Sequence, residues 1–185
     1  MEHETGYELR PSAQIALDNS GGRPLVVAEI GVREGQNTIA MLKFMPIAHV
    51  FMIDGYDPYY SNEHDFSTAE EQEIWYKNMF LYMRPYLNVV TFITRPSKFA
   101  SELFPKDFFD YIYIDANHCE KSVYEDMSLW LPKVKEGGVL GGHDFDDEKG
   151  RFPDVRKAVE RFCNDHNLKF SPRNNDWTII KGDKK

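Results

Sequence analysis

Short runs of β-branched and aromatic residues alternate along the chain with longer stretches whose apolar positions recur at helical spacing. That alternation predicts an α/β fold: a largely parallel sheet whose strands read as continuous apolar runs because helices cover both faces. After a polar lead-in, residues 11–18 can form a short helix ahead of Asn19-Ser20-Gly21-Gly22, and LVVAEI (25–30) reads as the first strand. Gly31 to Gly35 is then a turn, with Asn37 as N-cap of a helix that carries Ile39, Ala40, Leu42, Lys43 and Met45 and stops at Pro46. Residues 49–53 make a second strand and complete a βαβ unit.

The stretch GYDPYYSNEHDFST (55–68) follows as a loop, long for a compact domain and placed after a strand end, where lids and binding elements occur. Ser67 or Thr68 caps a helix running to about Arg84. A third strand covers 89–94, a short helix 98–103, a fourth strand 111–114 and a helix 119–130. Lys135 to Gly138 turns tightly into a fifth strand over 139–142, and the polar loop HDFDDEKGR leads to a helix over about 154–164. Residues 168–171 and 177–181 flank PRNND like the arms of a hairpin, which predicts an antiparallel pair at the sheet edge. No repeat or low-complexity linker interrupts the pattern, so 1–185 reads as one domain, with 1–23 as lead-in and 24–181 as core.

Composition narrows the function. The 185 residues are 42% hydrophobic and 14% aromatic, enough for one sizeable core. A formal net charge of -8 makes nucleic acid and anionic membranes poor default partners. The opening MEHETGYELR lacks the basic start and apolar stretch of a signal peptide, and no apolar run approaches the roughly 18 residues of a membrane span. The expectation is a cytoplasmic protein. Cys119 and Cys163, in no CxxC spacing, give neither a disulfide framework nor a thiolate zinc site.

Ligands of open parallel sheets collect at the carboxyl ends of the strands. There this chain carries Glu29-Ile30-Gly31-Val32-Arg33-Glu34-Gly35, Asp54, Asp115-Ala116-Asn117-His118 and His143-Asp144. The glycine turn alone could be a plain strand-to-helix connection needing positive φ. As a ligand site it lacks the middle glycine of a dinucleotide fingerprint and carries Glu29 and Glu34, which favour a cation over a pyrophosphate. S-adenosylmethionine, a sulfonium with an ammonium and no phosphate, fits that description, and Asp54 is placed to accept ribose hydroxyls.

Through EIGVREG, the strand end FMID, and FDYIYIDANH with the later turn KEGGVL, the chain resembles the class I S-adenosylmethionine-dependent methyltransferases. Within that class it is most similar to the catechol O-methyltransferase-like group and to the family methyltransferase domain 24. The resemblance implies a Rossmann-like sheet of about seven strands, mostly parallel with an antiparallel last strand. It places the cofactor over Gly31 and Gly35, with Glu29 and Asp115 beside it, ribose on Asp54, and adenine near Ser97 and Lys98. In the catechol-type group an Asp after strand four and an Asp-Asn pair after strand five bind magnesium, and a lysine three residues beyond the first Asp is the base. Asp115 and Asp144 match the two aspartates, whereas Phe145 stands for Asn and His118 for Lys. His143 or His118 could fill either role; the expectation is His143 as third ligand and His118 as base, with His143 as the alternative base and magnesium or manganese as the ion.

The implied activity is metal-assisted O-methylation of a small-molecule hydroxyl. Two other readings compete with it: a metal-dependent enzyme of another reaction type, as in cephalosporin hydroxylase-like relatives, and a non-catalytic binding or interaction protein. Individually, Asp115 could be a helix cap, His118 a solvated first-turn residue and Asp144 a turn acid. Asp146 and Asp147 read as solvated loop charges that could also complete a metal shell, and His64 and Asp57 are weaker candidates. Tyr56, Tyr59, Tyr60 and Phe66 could line a substrate wall or pack on one another. Trp75 and Trp130 read as core, and Trp177 as either. The terminal hairpin and short length leave faces on which a homodimer could form, though no residue pattern specifies one.

Overall fold

Strands form where the chain can be buried on both faces, and β1 (Leu25–Ile30) and the later FDYIYI segment are the clearest cases. The computed structural model describes residues 7–62, 65–146 and 150–185, so His64 and Asp147 lie outside the described residues. In chain order, α1 (Pro11–Ser20) precedes β1, which is followed by α2 (Gln36–Phe44), β2 (Ile47–Ile53), the pair β3 (Tyr59–Asn62) and β4 (Asp65–Ser67), and α3 (Ala69–Met83). The second half runs β5 (Val90–Ile93), α4 (Ser97–Ser101), β6 (Phe109–Ile114), α5 (Glu120–Trp130), β7 (Val134–Gly142), α6 (Pro153–Asp165), β8 (Ser171–Arg173) and β9 (Asp176–Ile180).

Seven strands form one sheet in the order β5-β2-β1-β6-β7-β9-β8. It is parallel from β5 to β7 and antiparallel through β9 and β8. One face packs on α1, α2 and α3 through Ala13, Met41, Met79 and Met83. The other packs on α4, α5 and α6 through Ala100, Met127, Trp130 and Phe162. This is the Rossmann-like, doubly wound methyltransferase architecture, and its strand order reverses between β1 and β6, where ligands of such sheets bind.

Several boundaries differ from the sequence expectation. Gly35, at φ +79°, stands at the N-cap position of α2, and Asn37 lies inside the first turn. The long loop after β2 folds into the hairpin β3–β4, because Tyr60 and Phe66 pair across it while Asp65 and Ser67 turn inward. Thr68 forms a capping box with Glu71 at the start of α3. β7 begins at Val134, with Gly137 at φ +74° inside it. At the C-terminus the hairpin is shorter than expected. Asn174 and Asn175 take left-handed φ of +49° and +67°, a tight turn joining β8 to β9, while Leu168 makes only an isolated bridge to Lys184.

Two glycines bring backbone together at the carboxyl edge. A Cβ on Gly31 would lie 2.1 Å from the Asp115 carbonyl oxygen, and one on Gly142 would lie 2.4 Å from the Trp177 ring. The ends of β1, β6, β7 and β9 therefore close on one another at the edge that carries Asp115, His143 and Asp144. Trp130 and Trp177 are core, as Trp130 was expected to be. Trp75 is half-buried beneath the Arg33 guanidinium, 4.5 Å from the ring centre.

Candidate active site

The β1–α2 turn is held from below by acids. Asp54 Oδ2 accepts the backbone N–H of Val32 and of Arg33, each at 2.9 Å, and Oδ1 accepts that of Tyr56, also at 2.9 Å. These are charge-assisted bonds to otherwise orphaned donors, so Asp54 shapes the turn as well as facing the place where a ribose was expected. Tyr56, at φ +49°, donates its hydroxyl to the Arg33 carbonyl at 2.8 Å and ties the β2 end to the same turn.

Glu29 sits inside the fold at 2% exposure. Thr38 Oγ1 and Asn37 Nδ2 donate to its two oxygens, and burial pushes its pKa up to about 7 against the lowering effect of those bonds. It thus supports the first turn of α2 from within. Ser97 and Lys98 are likewise engaged. The Ser97 hydroxyl donates to Asp126 and accepts from Trp130 Nε1 at 2.8 Å, and Lys98 pairs with Glu125 at 3.2 Å.

At the ends of β6 and β7 the chemistry converges. Asp115, His118 and Asp144 each present one ligand atom, and the three lie within 4.8 Å of one another. His118 Nε2 is 3.1 Å from Asp144 Oδ2 and 3.8 Å from Asp115 Oδ1. It is nonetheless buried and makes no hydrogen bond. The other ring nitrogen, Nδ1, faces Asp65 Oδ2 at 3.0 Å, and the ring stacks on Phe152 at 4.1 Å and 20°. Burial acts to lower the His118 pKa, yet Asp115, Asp144 and Asp65 outweigh it and raise it to about 11.

His143 is the second imidazole of the cluster. Its Nδ1 is 3.2 Å from Asp144 Oδ2 and 4.0 Å from Asp115 Oδ1, and its Nε2 is 3.9 Å from Asp176 Oδ1. Burial opposes its protonation and Asp144 and Asp115 favour it, with a net upward shift. Asp144 is driven the other way: burial would raise its pKa, but His118 and His143 hold it well below the usual carboxylate range. Asp144 takes φ +58°, a conformation that re-aims it from the end of β7. Asn175 secures it, donating from Nδ2 to Asp144 Oδ1 at 3.2 Å while its Oδ1 accepts the Asp146 N–H at 2.8 Å. Phe145 points into the core beside Phe170, so it offers no ligand.

The donor set suits a divalent ion. An octahedral ion about 2.1 Å from its ligands sets them ~3 to ~4.2 Å apart, which the His118 separations of 3.1 and 3.8 Å match, and two carboxylates with one imidazole accept magnesium, manganese or iron(II). The orphaned Nε2 and the two carboxylates face one point, which fits a cation.

Sequence reasoning did not single out Asp65, Asp176, Asn175 or Arg10. Asp176 is 1% exposed, receives the Tyr113 hydroxyl at 3.2 Å, and has Arg10 at 3.8 Å. Arg10 and Asn174 also line a cavity of about 530 Å³ with Gln14, Gln36, Asn37 and Arg173. The polar PRNND turn was the available signal for this wall, but its partner across the sheet is set by β9 pairing with β7. Tyr60 and Phe66 pair on the exposed side of their hairpin, 6.3 Å apart, while Asp57 is exposed and Asp146 pairs with Arg156 at 2.8 Å.

Comparison with known proteins agrees with the fold. The O-methyltransferase NovP superposes with a TM-score of 0.66 at 16% identity, over 92% of this chain and 77% of that one. The O-methyltransferase TomG of Streptomyces achromogenes, involved in tomaymycin synthesis and solved with S-adenosylmethionine, gives 0.65 at 11% identity over 96% and 83%. The calicheamicin methyltransferase CalS11 gives 0.66 at 11% over 93% and 78%. No match was found among curated protein sequences. The methyltransferase domain family, number 24 of that description, matches residues 28–145, from within β1 to just past Asp144. With more than half its length matched and the sheet order, glycine turn and strand-end acids all in place, the chain belongs to this family of class I S-adenosylmethionine-dependent methyltransferases.

Proposed function

We propose that the protein methylates a hydroxyl of a small molecule, with S-adenosylmethionine as donor and a divalent ion held by Asp115, His118 and Asp144. The observation that carries this reading is the convergence of those three ligand atoms at the strand ends beside the cofactor turn. The family's solved neighbours named above support the oxygen acceptor, since NovP and TomG are O-methyltransferases.

S-adenosylmethionine supplies the methyl group, and Gly31, Gly35 and Asp54 would hold it. A divalent ion lowers the pKa of an acceptor hydroxyl and fixes its direction. His118, fastened through Nδ1, serves as ligand in place of the expected His143, so that the two histidines exchange the roles read from the sequence and the imidazole provides what Phe145 cannot. His143, half-buried and not so fastened, is the group left to take the acceptor's proton, with Asp144 and Asp176 stabilising the imidazolium. The Arg10-lined cavity reaches this edge through Asp176, which Arg10 approaches to 3.8 Å and His143 to 3.9 Å. Most of the rate enhancement would come from positioning and electrostatics.

The test is methyl transfer from labelled S-adenosylmethionine across a panel of small hydroxyl acceptors, with and without chelator. Turnover that chelator removes and magnesium or manganese restores, and that Asp115→Asn abolishes, is expected. Undiminished turnover in chelator overturns the metal role, and oxidation of acceptor without loss of the methyl donor overturns the reaction.

A further inference from the structure

We infer that the hairpin β3–β4 is part of the metal site, its Tyr59–Asp65 pair acting as a clamp that fixes the tautomer and aim of His118. This rests on the metal reading above and adds to it a positioning element that no strand-end pattern contains. Asp65 is 3% exposed and lies in a hairpin outside the main sheet, yet its carboxylate is fully committed. It takes the Tyr59 hydroxyl on Oδ1 at 2.9 Å, the His118 ring on Oδ2 at 3.0 Å, and the His118 backbone N–H.

The chemistry of the imidazole makes that pairing directional. A carboxylate can only accept, so Nδ1 must carry a hydrogen, and once the ring is neutral and ligating its lone pair falls to Nε2. Nε2 is the nitrogen directed at Asp115 and Asp144. Phe152 stacks on one face of the ring, leaving little freedom of tilt. Ligating histidines held in this way by a carboxylate are better oriented and more basic ligands. The clamp is itself anchored. Gln72 Nε2 donates to the buried Ser67 Oγ at 2.7 Å, and the Thr68 capping box fixes the hairpin's exit into α3. Seating the hairpin and aiming His118 are therefore one event.

Manganese binding to the purified full-length chain, followed by electron paramagnetic resonance, provides the test. Asp65→Ala is expected to raise the manganese Kd by roughly 10- to 100-fold, and Asp65→Asn, whose amide oxygen still accepts the Nδ1 hydrogen, to restore most of the affinity. In the magnesium-loaded protein, nitrogen NMR of His118 should show hydrogen on Nδ1 in the parent and loss of that preference in Asp65→Ala. If Asp65→Ala does not fold, Tyr59→Phe carries the test through a smaller rise in Kd, roughly threefold. An unchanged Kd and an unchanged His118 tautomer in a folded variant would overturn the clamp while Asp115→Asn still abolished binding. A parent that binds no manganese overturns the metal reading, and the clamp with it.

Discussion

Glu29 shows how much a single position can hide. In the sequence it stands at the end of a strand beside a glycine turn, the same setting as the acids that do meet at the site. In the fold it points beneath α2, where Asn37 and Thr38 satisfy it and burial raises its pKa from 4.5 to about 7. A carboxyl whose folded pKa lies above its unfolded value contributes stability that is complete below about pH 4.5 and is lost as pH rises through about 7. Glu29→Gln removes that loss, so the variant should gain on the parent between pH 4.5 and pH 8, by on the order of 3 kcal/mol. Urea midpoints across that range check it, and a parent-to-variant difference that stays flat with pH would exclude a protonated Glu29. Strand-end position made Asp115, His118, His143 and Asp144 legible, because in a parallel sheet sequence order fixes which end of each strand bears the ligand. Side-chain direction was not legible for Glu29, Ser97 or Lys98, since it depends on which helix packs above. Asp65 and Asp176 were missed because they reach the site from a hairpin and from an antiparallel edge strand, both outside the parallel pattern.

At the scale of elements, the terminal hairpin does more than finish the sheet. Its turn was readable from Pro172 and the four polar residues 173–176, but the strands lie closer to the turn than the apolar residues suggested. β9 takes its register from β7, pairing Trp177 with Gly142. That register places Asn175 against the loop after β7, where it accepts the Phe145 N–H on its backbone and holds Asp144 and Asp146 with its side chain. Asn175 also adopts φ +67°, which an alanine tolerates poorly and a glycine accepts. Asn175→Ala should therefore lose about 2 kcal/mol of stability from strain and missing hydrogen bonds together. Asn175→Gly should fall within about 1 kcal/mol of the parent, yet show the same drop in methyl transfer as the alanine variant. Equal activity in Asn175→Gly and the parent would mean that the side chain only closes the turn and does not place Asp144.

For the molecule as a whole, the strand order gathers the two proposed ligand sets at one edge while keeping them on different strands. The proposed cofactor turn follows β1 and rests on Asp54 after β2; the proposed metal ligands follow β6 and β7. Sites built on separate strands of a rigid sheet should add their ligand energies, with Asp115 the residue closest to both. A ligand at a hundred times its Kd stabilises the folded state by about 2.7 kcal/mol. For a chain of this size that corresponds to a rise in Tm of roughly 5 to 10 °C. S-adenosylmethionine and manganese should each produce such a shift in the parent, and nearly the sum when present together. Asp144→Asn should abolish the manganese increment and leave that of S-adenosylmethionine, because Asp144 meets the two histidines and Asn175, whereas the glycine turn rests on Asp54. NAD should give no rise, since its pyrophosphate would have to settle on a turn flanked by Glu34 and Asp54. Equal shifts from NAD and S-adenosylmethionine would show that the turn selects for adenosine alone, and its acids would then need another role than excluding phosphate.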